Sequence, residues 1–311
     1  MYNTKLNYFI ATIFILILYF IYIYKRHIPH ETFENRMIND ENYTDPFDKE
    51  FVDFYEIIYR DSTDLKTDYN FIKEKTLNDP HQENTNILIA GSGVGKLAAL
   101  FKKNYKNITG VDKSENMIKK SYELNPNIKF IKGDLLNPLL FEKNMFSHII
   151  FDNNALNYNS IKDMNIILHN CSGWLKEKGY LITPIFDQNK MRVSPRYYTT
   201  NYIDNKKVVH GYTYLNGFAH DGYLVQDDSK GTDDIIHFDK IILEDGQHRI
   251  KKTELFIPKK EDLYETILKR GFVIDTIGTD LKRKQENYEL VIFKKTKKIM
   301  DVNELEKNYN K

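Results

Sequence analysis

The amino-acid sequence predicts an α/β protein: a seven-stranded, mostly parallel sheet with helices on both faces. Three observations carry that expectation. Short apolar runs alternate with amphipathic stretches from residue 86 to 187, the pattern of strands joined by helical crossovers. The first run stops abruptly on a glycine-rich turn, Gly91-Ser92-Gly93-Val94-Gly95. Near the end, FVIDTIGTDLKR and NYELVIFKKT (272–283 and 287–296) follow one another with only a short polar turn between them, so the sheet should close with an antiparallel hairpin.

Taken in order, EFVDFYEIIYR (50–60) and DYNFIKEKTL (68–77) carry apolar residues at helical spacing and predict two short helices. TNILIA (85–90) is the first strand, and KLAALFKKN (96–104) the helix after the turn. NITGVD (107–112) is the second strand, followed by a helix over 114–124 with Ser114 as its N-cap. NIKFIKGD (127–134) and FSHIIFD (146–152) are the third and fourth strands. A helix is expected over IKDMNIILHNCSGWLKEKG (161–179), and a fifth strand over 179–187. Residues 188–259 change texture: KVVHGYTYLN, GYLVQDD, DIIHFDKIILEDG and HRIKKTELFIP read as antiparallel strands with turns at Asn216-Gly217 and Asp245-Gly246. They form an insert placed to cover a pocket. KKEDLYETILKR (259–270) is helical and leads into the final hairpin.

The first 46 residues are organised differently. After a tail of residues 1–5, Leu6 to Tyr24 is an uncharged, apolar and aromatic run. As a helix it would span roughly 28 Å, the hydrocarbon thickness of a bilayer. It is long for a signal-peptide core and no small-x-small site follows it, so a single-pass anchor in the lipid bilayer is expected. Lys25, Arg26 and Arg36 follow the run while only Lys5 precedes it. That asymmetry predicts a cytosolic catalytic domain. Residues 25–46 are polar and aperiodic, a tether, and the globular domain is expected over 47–311.

Composition narrows the function classes. Lys plus Arg number 45 against 44 Asp plus Glu, so there is no electrostatic footprint for nucleic acid. The single cysteine, Cys171, cannot form an internal disulfide, which fits a reducing compartment. A tight glycine turn between a strand and a helix suits a ligand at a helix N-terminus. A dinucleotide fingerprint would need glycine where Lys96 stands. A phosphate-binding loop would need Ser or Thr where Leu97 stands. S-adenosylmethionine (SAM) is the third ligand class. Asp112 at the end of the second strand is placed to accept ribose hydroxyls. Asp134, at the end of the third, is placed to accept from the adenine amino group. All these positions fall at the carboxyl ends of adjacent strands, where open α/β sheets bind ligands.

The ordered set GSGVG, GVDKSENM, KGD and FDNNALNY, with a later WLKEKGYLI and the closing hairpin, resembles the class I SAM-dependent methyltransferases. The resemblance covers about residues 85–187 and 260–296. It implies SAM as cofactor and assigns Gly91, Ser92, Gly93, Gly95, Asp112, Lys113, Asp134, Leu135, Asp152, Asn153 and Tyr59 to its binding. One departure stands out: the family carries an acid two residues before the first glycine, and this chain has Ile89. Tyr55 and Tyr59 resemble the family's tyrosine pair that closes over the cofactor; at i, i+4 they would equally form an aromatic core face.

Methyl transfer from a sulfonium needs alignment, with a base only where the nucleophile must lose a proton. Asp152 is the candidate catalytic residue, to orient an acceptor or take its proton; contact with SAM or capping of a turn is the alternative. His210, His220, His237 and His248 have no ligand spacing, so no metal is expected. Tyr197, Tyr198 and Tyr212 are candidates for an aromatic acceptor pocket. The expected function is methyl transfer to an N or O acceptor of a small or membrane-near molecule. A catalytically degenerate membrane scaffold, favoured by Ile89, and a nucleotide-hydrolysing enzyme, disfavoured by Leu97, are the competing readings.

Overall fold

The first strand sets the architecture. In β1 (Asn86–Ala90) four consecutive residues are buried, as a strand covered on both faces requires. Its side chains alternate between two cores. Leu88 and Ala90 join Phe146, Ile149, Leu168, Trp174 and Phe293 on one face, and Ile87 and Ile89 join Phe71, Ile72, Phe101, Ile150 and Ile182 on the other.

The computed structural model of the chain describes residues 47–49, 52, 63–77, 84–187, 198–203, 206–215, 218–227, 234–242, 248–278, 281 and 288–296. The run 6–24, the tether, Tyr55, Tyr59 and Tyr197 lie outside them. Among the described residues no helix is long and apolar enough to cross a membrane.

The elements are α1 (Thr63–Thr76), β1, α2 (Lys96–Lys102), β2 (Asn107–Asp112), α3 (Glu115–Leu124), β3 (Lys129–Lys132), β4 (Phe146–Phe151), α4 (Ile161–Trp174) and β5 (Leu175–Phe186). Then come β6 (Tyr198–Ile203), β7 (Lys206–Leu215), β8 (Phe218–Asp227), β9 (Asp234–Ile242), β10 (His248–Phe256), α5 (Lys260–Leu268), β11 (Phe272–Gly278) and β12 (Tyr288–Lys295). Seven strands form one sheet in the order β11-β12-β5-β4-β1-β2-β3. The pairs β1–β2, β2–β3, β1–β4 and β4–β5 are parallel, and β12 runs antiparallel to both β5 and β11. The predicted seven-stranded α/β sheet with an antiparallel closure is therefore the fold observed. Ser114 accepts the Met117 N–H at 3.3 Å as the cap of α3.

Two local expectations need correction. The helix expected to reach Gly179 ends at Trp174, because Leu175 turns extended and pairs with Phe146 of β4. From β12 the Lys295 ammonium donates to the carbonyls of Ser172 at 2.6 Å and Leu175 at 2.7 Å. These are carbonyls that the helix end leaves without an intrahelical donor. The polar sequence KEK gave no sign of that distant donor. The final hairpin is joined by residues 279–287, longer than a short turn. The start of β12 passes the end of β11 and pairs with β5 instead, Tyr288 opposite Phe186.

The insert is a separate five-stranded antiparallel sheet in the order β10-β9-β8-β7-β6. Leu215 opposite Phe218 makes Asn216-Gly217 a two-residue connection. The β9–β10 link spans residues 243–247 around Asp245-Gly246, with Ile242 opposite His248. The strand β6 has no counterpart in the sequence reading.

Candidate cofactor site at the carboxyl edge of the sheet

The edge where β1, β2, β3 and β4 end gathers almost all the candidate residues. The turn after β1 has Gly91 at φ 66° and Gly93 at φ 51°, the left-handed region open chiefly to glycine. The two are constrained for different reasons. A Cβ on Gly91 would lie 2.2 Å from the Ala155 Cβ, whereas a Cβ on Gly93 would meet nothing within 4 Å. Gly91 is thus wedged against the chain leaving β4, and Gly93 presents bare backbone to an open space.

Asp112, at the end of β2, ties this turn to the next strand. Its Oδ2 accepts the Gly93 N–H at 2.9 Å and its Oδ1 the Ser114 N–H at 2.9 Å. Burial pushes its carboxyl above the usual range, against those N–H donors. Each oxygen retains further acceptor capacity. Asp134 follows β3; its Oδ1 accepts the Leu136 N–H at 3.0 Å, and Lys113 sits 3.1 Å from its Oδ2. Burial opposes its ionisation, but the Leu136 N–H and the Lys113 ammonium outweigh it and hold the carboxyl below the usual range. Leu135 packs against the core, and its carbonyl accepts from Asn170 of α4 at 2.9 Å.

Asp152 leaves β4 beside the turn, its N–H donating to the Ala90 carbonyl at 3.1 Å. The residue is half-buried and its carboxyl is crowded by protein. Burial pushes the carboxyl up to about 7; the Asp68 charge adds to this, Lys96 opposes it, and Asp112 contributes in the same direction as Asp68. Asn153 is exposed at φ 45°, and the buried Oδ1 of Asn154 has no hydrogen-bond partner among the described residues. The Ser92 side chain points inward: it is 1% exposed, and its hydroxyl lies where a Cβ on Gly110 would meet it at 2.9 Å.

His210, His220 and His237 sit on β7, β8 and β9 opposite Thr199, Thr213 and Leu224, so no two of them pair. Among the described residues no group of three His, Cys, Asp or Glu is placed to hold a metal ion. Cys171 is buried, and burial pushes its thiol far up, which keeps it a packing residue.

Three contributors escape a reading by motif. Asp68 and Lys96 both act on Asp152, and the Asn157 amide donates to the Phe256 carbonyl at 2.8 Å, pinning the end of β10 to the turn that follows Asp152. Asp68 did leave a signal. It stands three and four residues before Phe71 and Ile72, an acid on the apolar face of its helix.

A bare glycine turn between two strand-end carboxylates, on a sheet of this order, defines the class I methyltransferase fold, and the two carboxylate acceptors suit the adenosine end of SAM. Residues 87–179 match the family described as "Methyltransferase domain". The chain's sequence is 29% identical over 105 residues to phosphoethanolamine N-methyltransferase 1 of Arabidopsis thaliana. That match takes in 33% of this chain, which spans about a fifth of the curated relative (21%). A SAM-dependent methyltransferase from Clostridium acetobutylicum has the same fold, with a TM-score of 0.57 at 17% identity over 79% of this chain and 98% of that one. So does CalS10, an amino pentose methyltransferase from Micromonospora echinaspora solved with SAM bound. Its TM-score is 0.54 at 14% identity, over 78% of this chain and 96% of that one.

Proposed function

We propose that the domain methylates a small-molecule acceptor, with an amine nitrogen favoured over an oxygen. The observation that carries this reading is the placement of Asp152. A carboxyl pushed up to about 7 stands at the carboxyl edge of the sheet, beside the Ala90 end of β1 and the turn that carries Gly93. SAM supplies the electrophilic methyl group when bound. Asp112 and Asp134 accept from its ribose and adenine, while the bare backbone at Gly93 allows close approach. Asp152 would orient the ammonium of the acceptor and take its proton, leaving a lone pair for the methyl carbon, whose bond to the sulfonium sulfur would break as S-adenosylhomocysteine leaves. A base with a pKa near the working pH suits this transfer. The insert β6–β10 serves as the acceptor lid, its base held by Asn157 at Phe256. The amine preference is supported by the relatives, one named for phosphoethanolamine and one for an amino pentose.

The same reading keeps the run Leu6–Tyr24 as a single-pass anchor, with the domain on the cytosolic side and a membrane-near acceptor within reach. Extraction of full-length protein from membranes by detergent but not by alkaline carbonate would support the anchor; release by carbonate would remove it.

The test of function is calorimetric titration of SAM into the full chain and into Asp112→Ala, followed by turnover with phosphoethanolamine and amino sugars. Micromolar binding lost in the variant, plus methylation of an amine, is the expected result. Binding without turnover on any amine or hydroxyl acceptor would favour the degenerate scaffold, the reading that Ile89 supports.

A further inference from the structure

We propose that Asp68 on α1 takes the ammonium of the cofactor's amino-acid end, a place where the chain has no acid at position 89. This deepens the SAM reading and rests on it. Ile89 is fully buried, packed with Ile87, Ile150, Ile182 and Leu290, so nothing on β1 can meet a cation there. The helix lying over that same cluster is α1, through Phe71 and Ile72. Asp68 shares their helix face one turn nearer the N-terminus.

The heights agree. The backbone of Thr76, at the end of α1, meets His148 low on β4. Eight residues back along the helix is about 12 Å at 1.5 Å per residue, which reaches Asp68. Four residues up the strand from His148 is about 13 Å at 3.3 Å per residue, which reaches Asp152. The helix therefore runs against the strand and lifts Asp68 to the ligand-bearing edge. There the Tyr288 hydroxyl donates to Asp68 Oδ2 at 2.6 Å. Tyr288 is itself fixed opposite Phe186 at the end of β5, with the ring centroids 5.2 Å apart. The carboxylate is thus aimed by a bond from the sheet. Lys96, the first residue of α2, follows the glycine turn directly. Both Asp68 and Lys96 act on the Asp152 carboxyl, so an anion and a cation lie near the same carboxyl. That suits the ammonium and carboxylate of an amino-acid zwitterion.

The test compares S-adenosylhomocysteine with methylthioadenosine, which keeps the nucleoside and lacks the amino-acid end. Each is titrated into the full chain, Asp68→Asn, Tyr288→Phe and Asp112→Ala. Asp68→Asn should weaken S-adenosylhomocysteine at least tenfold and leave methylthioadenosine unchanged, which also reports that the variant is folded. Tyr288→Phe should cause a smaller loss with the same selectivity, and Asp112→Ala should weaken both ligands. Equal weakening of both ligands by Asp68→Asn, or of neither, overturns the assignment while leaving the SAM reading intact. Wild-type protein that binds neither ligand overturns both.

Discussion

Asp152→Asn should make the protein more stable, and by an amount that grows with pH. The Asp152 carboxyl titrates at about 7 in the folded chain, against 3.8 for the free side chain, chiefly because it is buried and secondly because Asp68 is near. Between those two values the folded state keeps the proton and the unfolded state has lost it. Stability should therefore fall as pH rises from about 4 to 7, by 1.36 kcal/mol per pH unit, and stay lower above 7. The full difference corresponds to about 4 kcal/mol, an upper figure for a residue that is half-buried. Asparagine keeps the shape and cannot ionise. The assay is urea denaturation of the full chain and the variant at pH 5, 6, 7 and 8. The variant's advantage should be about 1.6 kcal/mol at pH 5, increase by about 2 kcal/mol by pH 7, and level off. Groups that do not interact with Asp152 cancel in the difference. An advantage that is flat across this range, or a variant less stable than wild type at pH 8, would refute the view that burial holds this carboxyl protonated. Methyl transfer to an amine should respond oppositely, falling by about 10²-fold or more when the base is removed.

The two glycines should separate fold from binding. Gly91→Ala forces a methyl to 2.2 Å from Ala155 and should lower the melting temperature by several degrees. Gly93→Ala fills an open space at positive φ, costs about 1 kcal/mol and should mainly weaken SAM in calorimetry. Burial holds the His148 imidazole down to about 4, opposed by the Thr76 backbone, so the folded state refuses a proton that the unfolded state accepts below 6.5. Acid should then remove about 3 kcal/mol between pH 6.5 and 4, and His148→Phe, stacked on Tyr180 as the imidazole is, should abolish that part of the loss in a pH series of melts. Lys295→Met leaves the Ser172 and Leu175 carbonyls without their donor and should cost 1–3 kcal/mol in urea denaturation.

What the sequence determined by itself was whatever is written locally. Continuous apolar runs such as NILIA mark strands covered on both faces. Glycines that reach positive φ mark the turn after β1. The acid that closes the apolar run NITGVD puts Asp112 at the end of β2, and Asp134 follows two residues after the end of β3. The tertiary structure decided what depends on segments far apart in the chain. Lys295 lies 120 residues from the carbonyl of Leu175 that it satisfies, and Tyr288 lies 220 residues from the Asp68 it aims. The Asp152 carboxyl owes its raised pKa to burial and to charges on α1 and β2, against the Lys96 charge on α2, and none of these appears in the residues around it. Alternation and glycine placement act through the backbone of a few neighbours, and so can be read from a string. Burial and charge coupling act through space, and exist only once α1 and β12 have packed against the sheet.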